Sequence, residues 1–206
     1  MRMKFVPVLA AVALALPARA HAQSVLGTSF GFVGAVNMST FGGSDVSGAK
    51  NKVAFSLGGF ARIPMSPMWS FQPELEYAGK GSKASDNTGT ATVDLSYIEM
   101  PLLFRLSAPS TPAGQLFGEI GPSVAFKVDC TVSGTSGGIT VSGSCSNAGV
   151  DVKTTDFGGV IGAGYEFPLS GMGLSLGVRY NYGLSDLFTG SNARNRNLQF
   201  VAGLRL

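Results

Sequence analysis

Of 206 residues, 29 are Gly, 14 are Phe and only 13% are charged, and the mean hydropathy is positive. An ordinary soluble domain is less apolar than this, yet past position 22 no segment approaches the roughly 20 apolar residues that a spanning helix requires, which excludes a helical membrane protein. The formal charge of +3 comes from Arg2, Lys4 and Arg19; without those three of the 15 Lys and Arg, the remainder equals the 12 Asp and Glu, so no basic surface points to nucleic acid.

In chain order, the first element is an export address. Arg2 and Lys4 charge the start, residues 5–16 are almost wholly apolar, and small residues follow at 17–22. That is the pattern of a cleaved signal peptide. Ala18-Arg19-Ala20 and Ala20-His21-Ala22 both fit the cleavage rule, and the second leaves residues 23–206 as the mature chain. His21 is the sole histidine, so the mature chain has no imidazole to serve as general base or metal ligand.

Eight windows then show period-two alternation: 29–40, 52–62, 68–80, 92–107, 115–127, 151–167, 174–184 and 195–206. None keeps a helical period. Short links are expected at 63–67, 108–114 and 168–173, and longer polar ones at 41–51, 81–91, 128–150 and 185–194. A chain this apolar without spanning helices can satisfy its backbone in a bilayer only as a closed barrel. The expectation is all-β: a single eight-stranded antiparallel up-and-down transmembrane β-barrel, with short turns on the periplasmic side and long loops outside.

Alternation also assigns the two faces. Leu198, Phe200, Ala202 and Leu204 alternate with Gln199, Val201, Gly203 and Arg205; Leu176, Val178 and Tyr180 alternate with Gly177, Arg179 and Asn181; Phe71, Leu75 and Tyr77 alternate with Gln72, Glu74 and Glu76. Period alone does not separate this from a soluble sandwich or ligand-binding barrel whose large residues form the core. Ionised groups at mid-strand on the polar face, awkward in a dry core, favour a hydrated lumen and an outer face in lipid, as do Tyr and Trp near strand ends.

Several stretches carry a resemblance: GFVGAVNMST at 31–40, FQPELEY at 71–77, YIEMPLL at 97–103, EIGP at 119–122, GAGYE at 162–166 and RYNYGL at 179–184. In order and spacing they resemble the small outer-membrane β-barrel domain family that includes the PorT-like proteins. The resemblance implies the outer membrane of a Gram-negative bacterium, contact with outer-membrane lipid, and insertion by the outer-membrane assembly machinery. It implies no single molecular role, since a barrel does not fix a function. The chain departs from the family in ending at Leu206 rather than an aromatic residue. Pro73, Pro101 and Pro122 fall inside expected strands, where each removes a ladder donor, and bulges are the expected accommodation.

The candidate site is the lumen. Glu74, Glu76, Glu99, Glu119 and Glu166 are placed inward with Arg62, Arg105, Arg179 and Arg205. Eight strands enclose little more than their own side chains, so a structural network plugging the barrel is the leading reading. A proton path, gated pore or catalytic carboxylate pair would use the same residue types, and Glu99 with Glu119 is the pair to test first. Cys130 and Cys145, the only cysteines, lie in one loop of an exported chain and are expected to form a disulfide. Closing about 15 residues should be worth roughly 3 kcal/mol. The glycine-rich run at 158–164 is not followed by a predicted helix, which removes the dinucleotide-cradle reading.

Four functional classes follow. First is a non-enzymatic scaffold whose external loops meet an envelope protein or surface ligand, acting in adhesion, envelope integrity or assembly. The second is a narrow channel or a carrier for small apolar molecules; the others are a soluble ligand-binding barrel and a membrane-embedded hydrolase. No cofactor and no metal are expected.

Overall fold

The computed structural model describes residues 27–44, 46, 48–85, 89–188 and 190–206; the expected leader at 1–22 and its cleavage site lie outside them. Among the described residues ten strands form one sheet: β1 Ser29–Gly42, β2 Ala49–Lys50, β3 Lys52–Pro64, β4 Trp69–Ser85, β5 Thr90–Ser107, β6 Gln115–Ser136, β7 Ile139–Ser144, β8 Thr155–Leu169, β9 Met172–Gly183 and β10 Arg194–Arg205. The short β2 caps the end of β4, and β7 pairs only with β6. The other eight close in antiparallel order β1-β3-β4-β5-β6-β8-β9-β10, with β10 returning to β1 through Phe32↔Leu204 and Val36↔Phe200. The expected closed barrel is therefore formed, and every strand end in the wall has a neighbour to bond.

Outward positions carry the apolar residues. Phe32, Phe55, Leu57, Leu75, Ile120, Ile161 and Phe200 all face out, each about half exposed or more. Trp69 and Tyr165 lie toward the end with the short turns, and Tyr77 and Tyr180 higher on the wall. Tyr97, by contrast, is fully buried inside the barrel.

Three expectations about strands need correction. The sequence places connections at 81–91 and 128–150, but β4 runs on to Ser85, β5 starts at Thr90 and β6 reaches Ser136. These extensions stand above the apolar band, where neither face needs a greasy side chain. Alternation therefore fades although the backbone ladder continues, Lys83↔Thr92 and Ala91↔Gly134 among its pairs. At the sixth window the error reverses, for β8 begins at Thr155 rather than 151 and only Val152 makes a bridge, to Phe188. The prolines do not create bulges. Register passes unshifted from Pro73↔Leu102 to Glu76↔Glu99 and from Pro101↔Ser123 to Phe104↔Ile120, with the intervening pairs missing. The register shift in this part of the wall falls between Ser96 and Tyr97 instead.

Both ends of the barrel are finished differently. At one end the links are tight, as between β8 and β9, where Ser170 and Gly171 both take positive φ (43° and 91°). At the other, β6 and β7 form a hairpin turned by Gly137 and Gly138 at φ of 56° and 81°, the two-residue turn whose twist suits paired strands. Cys130 and Cys145 are disulfide-bonded with Cα atoms 5.5 Å apart, and the Cys145 N–H donates to the Cys130 carbonyl at 3.1 Å. The hairpin base is thus held twice. A protease-cleavable tag placed between Gly137 and Gly138 is expected to be cut on intact cells, and one in the 110–112 turn to be protected; equal protection of the two would reverse or abolish this topology.

Candidate functional site

Inward side chains, not a cleft, make up the candidate site. Arg179 on β9 lies at its centre. Its Nη1 and Nη2 donate to the two carboxylate oxygens of Glu74 at 2.6 and 2.8 Å, and its Nε donates to Glu119. Glu76 lies 3.5 Å from Nη1. This is a bidentate fork with a third acceptor on the remaining edge, the arrangement for which guanidinium is better shaped than ammonium. Glu119 and Arg179 reach each other across β8, where Gly162 is the cross-strand partner of both. A Cβ at Gly162 would stand 2.9 Å from Arg179 Cγ and 3.1 Å from Glu119 Oε1, so the pair needs glycine there.

Toward the tight-turn end a second centre forms around Glu166. Arg62 Nη1, Arg105 Nη2 and Arg205 Nε approach its carboxylate at 2.6, 2.8 and 3.2 Å. Gln72 joins the two centres, accepting from Arg62 Nε at 2.7 Å and donating to Glu74 at 2.6 Å. Arg105 also lies 3.4 Å above the centre of the Phe117 ring, which gives the cation a desolvated apolar face. Four arginines and four glutamates thus occupy the lower lumen in mutual contact. Between them remains a cavity of about 10 Å³, the room of a single water.

The upper lumen is lined differently. Glu99 meets Lys80 Nζ at 2.8 Å and accepts from Asn181. Asn37 accepts from Gln199 at 3.0 Å, and Asp156 accepts from Asn195 and Ser185 at 2.6 and 2.7 Å. Above these polar groups lies an apolar lid. Leu95, Tyr97, Ala125 and Val152 form its core, with Phe41, Val150 and Phe188 against them. Phe41 and Phe188 meet edge to face at 6.0 Å. Backbone hydrogen bonds from Leu187 to Ala193 and from Lys153 to Leu187 hold the long loops over the mouth.

All nine lumen residues picked from the sequence face inward; eight are linked through the arginines, and Glu99 adjoins them as the cross-strand partner of Glu76. Glu99 and Glu119 are not a pair: Ala125 opposes Glu99, six positions along β6 from Glu119, which opposes Arg105. At the strand rise that separates them by roughly 20 Å. Lys52, Gln72, Lys80, Asn37, Tyr97 and Asp156 escaped selection, although Lys80 shares the even-numbered face of Gln72, Glu74 and Glu76.

Removing one partner leaves the other charged in a confined interior. Arg179→Ala is expected to lower folding stability by about 3–5 kcal/mol, and Arg105→Ala by less, since Glu166 keeps Arg62 and Arg205. Urea unfolding of the purified barrel in vesicles measures it. A loss under about 1 kcal/mol for Arg179→Ala would show that the network carries little of the fold.

Residues 21–189 match the model of the outer membrane protein beta-barrel domain. No curated protein sequence matches the chain. Similar solved structures include Ail, the attachment invasion locus protein of Yersinia pestis, at 14% identity and TM-score 0.45 over 86% of this chain and 98% of that one. Neisserial surface protein A gives 16% and 0.48 over 87% and 98%. The outer membrane protein OprG from Pseudomonas aeruginosa gives 12% and 0.43 over 87% and 94%.

Proposed function

The chain belongs to the outer-membrane protein β-barrel domain family and resides in the outer membrane of a Gram-negative bacterium, and from that premise we propose that it is a closed, non-enzymatic scaffold. One observation carries the reading. Its lumen is filled twice over, by the Arg–Glu network below and the apolar lid above, while a disulfide-held hairpin stands clear of the wall. A filled lumen argues against transport through the barrel, and interlocked carboxylates argue against an accessible catalytic pair. Rigid projections on a stable support suit recognition. The external hairpin and loops would therefore meet a surface ligand or envelope protein, in adhesion, envelope integrity or assembly, after insertion by the outer-membrane machinery. Within the family, the stretches at 71–77, 97–103 and 179–184 support a PorT-like placement.

A second reading, carriage of small apolar molecules, draws on one feature of the wall. A furrow of about 590 Å³ opens to lipid between Phe32, Gly59, Ala61, Leu75 and Met100. It lies beside Pro73, where ladders to both neighbours lose pairs. Gly59→Trp should fill it. Uptake of a fluorescent apolar probe by proteoliposomes, present in the unmodified protein and lost in Gly59→Trp, would replace the scaffold with the carrier.

Conduction tests the scaffold most directly. Purified protein in planar bilayers is expected to show no steady unitary current, unlike barrels of sixteen or more strands that enclose aqueous channels. Arg105→Ala should introduce intermittent leak, because it opens the space its guanidinium fills over the Phe117 ring. Large stable currents from the unmodified protein would overturn the proposal.

A further inference from the structure

Charges in the lower lumen balance overall, four arginines against four glutamates, but they are unevenly placed, with the arginines gathered at the periplasmic mouth. Arg62, Arg105 and Arg205 converge on one carboxylate, Glu166. The next acid, Glu119, stands 3.9 Å from Arg105 and is already bonded by Arg179. Locally, then, three guanidiniums share one full counter-charge. Arg62 spends Nη1 on Glu166 and Nε on Gln72, and Arg205 spends only Nε, so each retains terminal N–H donors.

These donors border a cup of about 220 Å³ at the tight-turn end, whose other walls include Ser29, Ser70 and Gln115. Among the described residues, those two hydroxyls and that amide make no side-chain hydrogen bond. The cup thus joins donors from β1, β3, β4, β6 and β10 around a site with excess cation, and its one ionised acceptor, Glu166, is already saturated by arginine. A planar carboxylate would use donors from one or two directions. A tetrahedral oxyanion uses donors arriving from several walls, and paired guanidiniums match its edges.

We infer that the periplasmic mouth of this barrel is a binding site for a phosphate-class oxyanion, held by Arg62 and Arg205 with Ser29, Ser70 and Gln115. The anion comes either free from the periplasm or as a phospholipid headgroup at the barrel rim. The chemistry of the cup is independent of the scaffold reading, which could fail in the bilayer experiment while this site stands.

Titration of inorganic phosphate into the purified mature protein in maltoside micelles, at constant ionic strength with chloride as the balancing anion, tests the site. Calorimetry should show saturable binding at one site per chain. Arg205→Gln should weaken it at least tenfold and Ser70→Ala severalfold, both variants keeping the unheated gel mobility of the folded barrel. No saturable binding by the unmodified protein, or undiminished binding by Arg205→Gln, overturns the inference. Repetition in phosphatidylglycerol nanodiscs separates the sources: unchanged affinity assigns free phosphate, and binding lost there but present in micelles assigns the lipid headgroup.

Discussion

Hydrocarbon offers no hydrogen bonds, and most of this architecture follows from that. Each peptide group in the wall must find its partner in another strand, so the sheet has to close, and β10 returns to β1 over their full shared length. Closure with eight strands fixes the interior width. What fills it comes from the same strands, on alternate positions of residues whose other face is committed to lipid. Apolar filling would have left the two faces of each strand alike. Polar filling marks which face is which, at the cost of desolvating charges, and the cost is offset only where those charges interlock. Arg179, bonded to Glu74 and Glu119 with Glu76 nearby, shows how completely this is done.

That contrast explains why the barrel was legible in the sequence. Along β9 and β10 nearly every position states its side by chemistry, and eight windows could be found from period alone. Legibility ends where the lipid ends. Residues 81–85 and 128–136 are strand in the structure, yet their Lys, Ser, Gly and Thr are indifferent to face, and periodicity has nothing to detect. Lys80 sits at that margin, at the last position of its expected strand, and so its pairing with Glu99 went unread. The prolines misled in the opposite direction. A missing donor was expected to distort the wall, whereas Pro73 and Pro101 leave the register unshifted and the ladder locally open.

The lid was hidden for a different reason. Phe41 stands at the end of β1, Val150 and Val152 precede β8, and Phe188 lies between β9 and β10, so they have no common period. What they share is size in segments otherwise built of Gly, Ser, Asn and Asp. A large apolar residue in such a segment has a burial partner elsewhere, but sequence does not say which. The disulfide was easier, since two cysteines in an exported chain admit one pairing. It ties the hairpin to β6 just above the wall, so the projection inherits the rigidity of the barrel.

The contact between Arg179 and Glu74 has a consequence for how the barrel comes together. Glu119 is two strands from Arg179 along the sheet, through β8, whereas Glu74 lies on β4, four strands away through β10, β1 and β3. An open sheet can make the first contact; the second exists only once the curved sheet has brought opposite walls face to face. Barrels of one strand number can close with different stagger, and an oily interior would penalise a wrong stagger weakly. Here a mis-sheared ring would strand a guanidinium opposite the wrong rung, with no water to screen it. The charged interior therefore acts as a gauge of shear, admitting the one closure in which every fork meets its carboxylate.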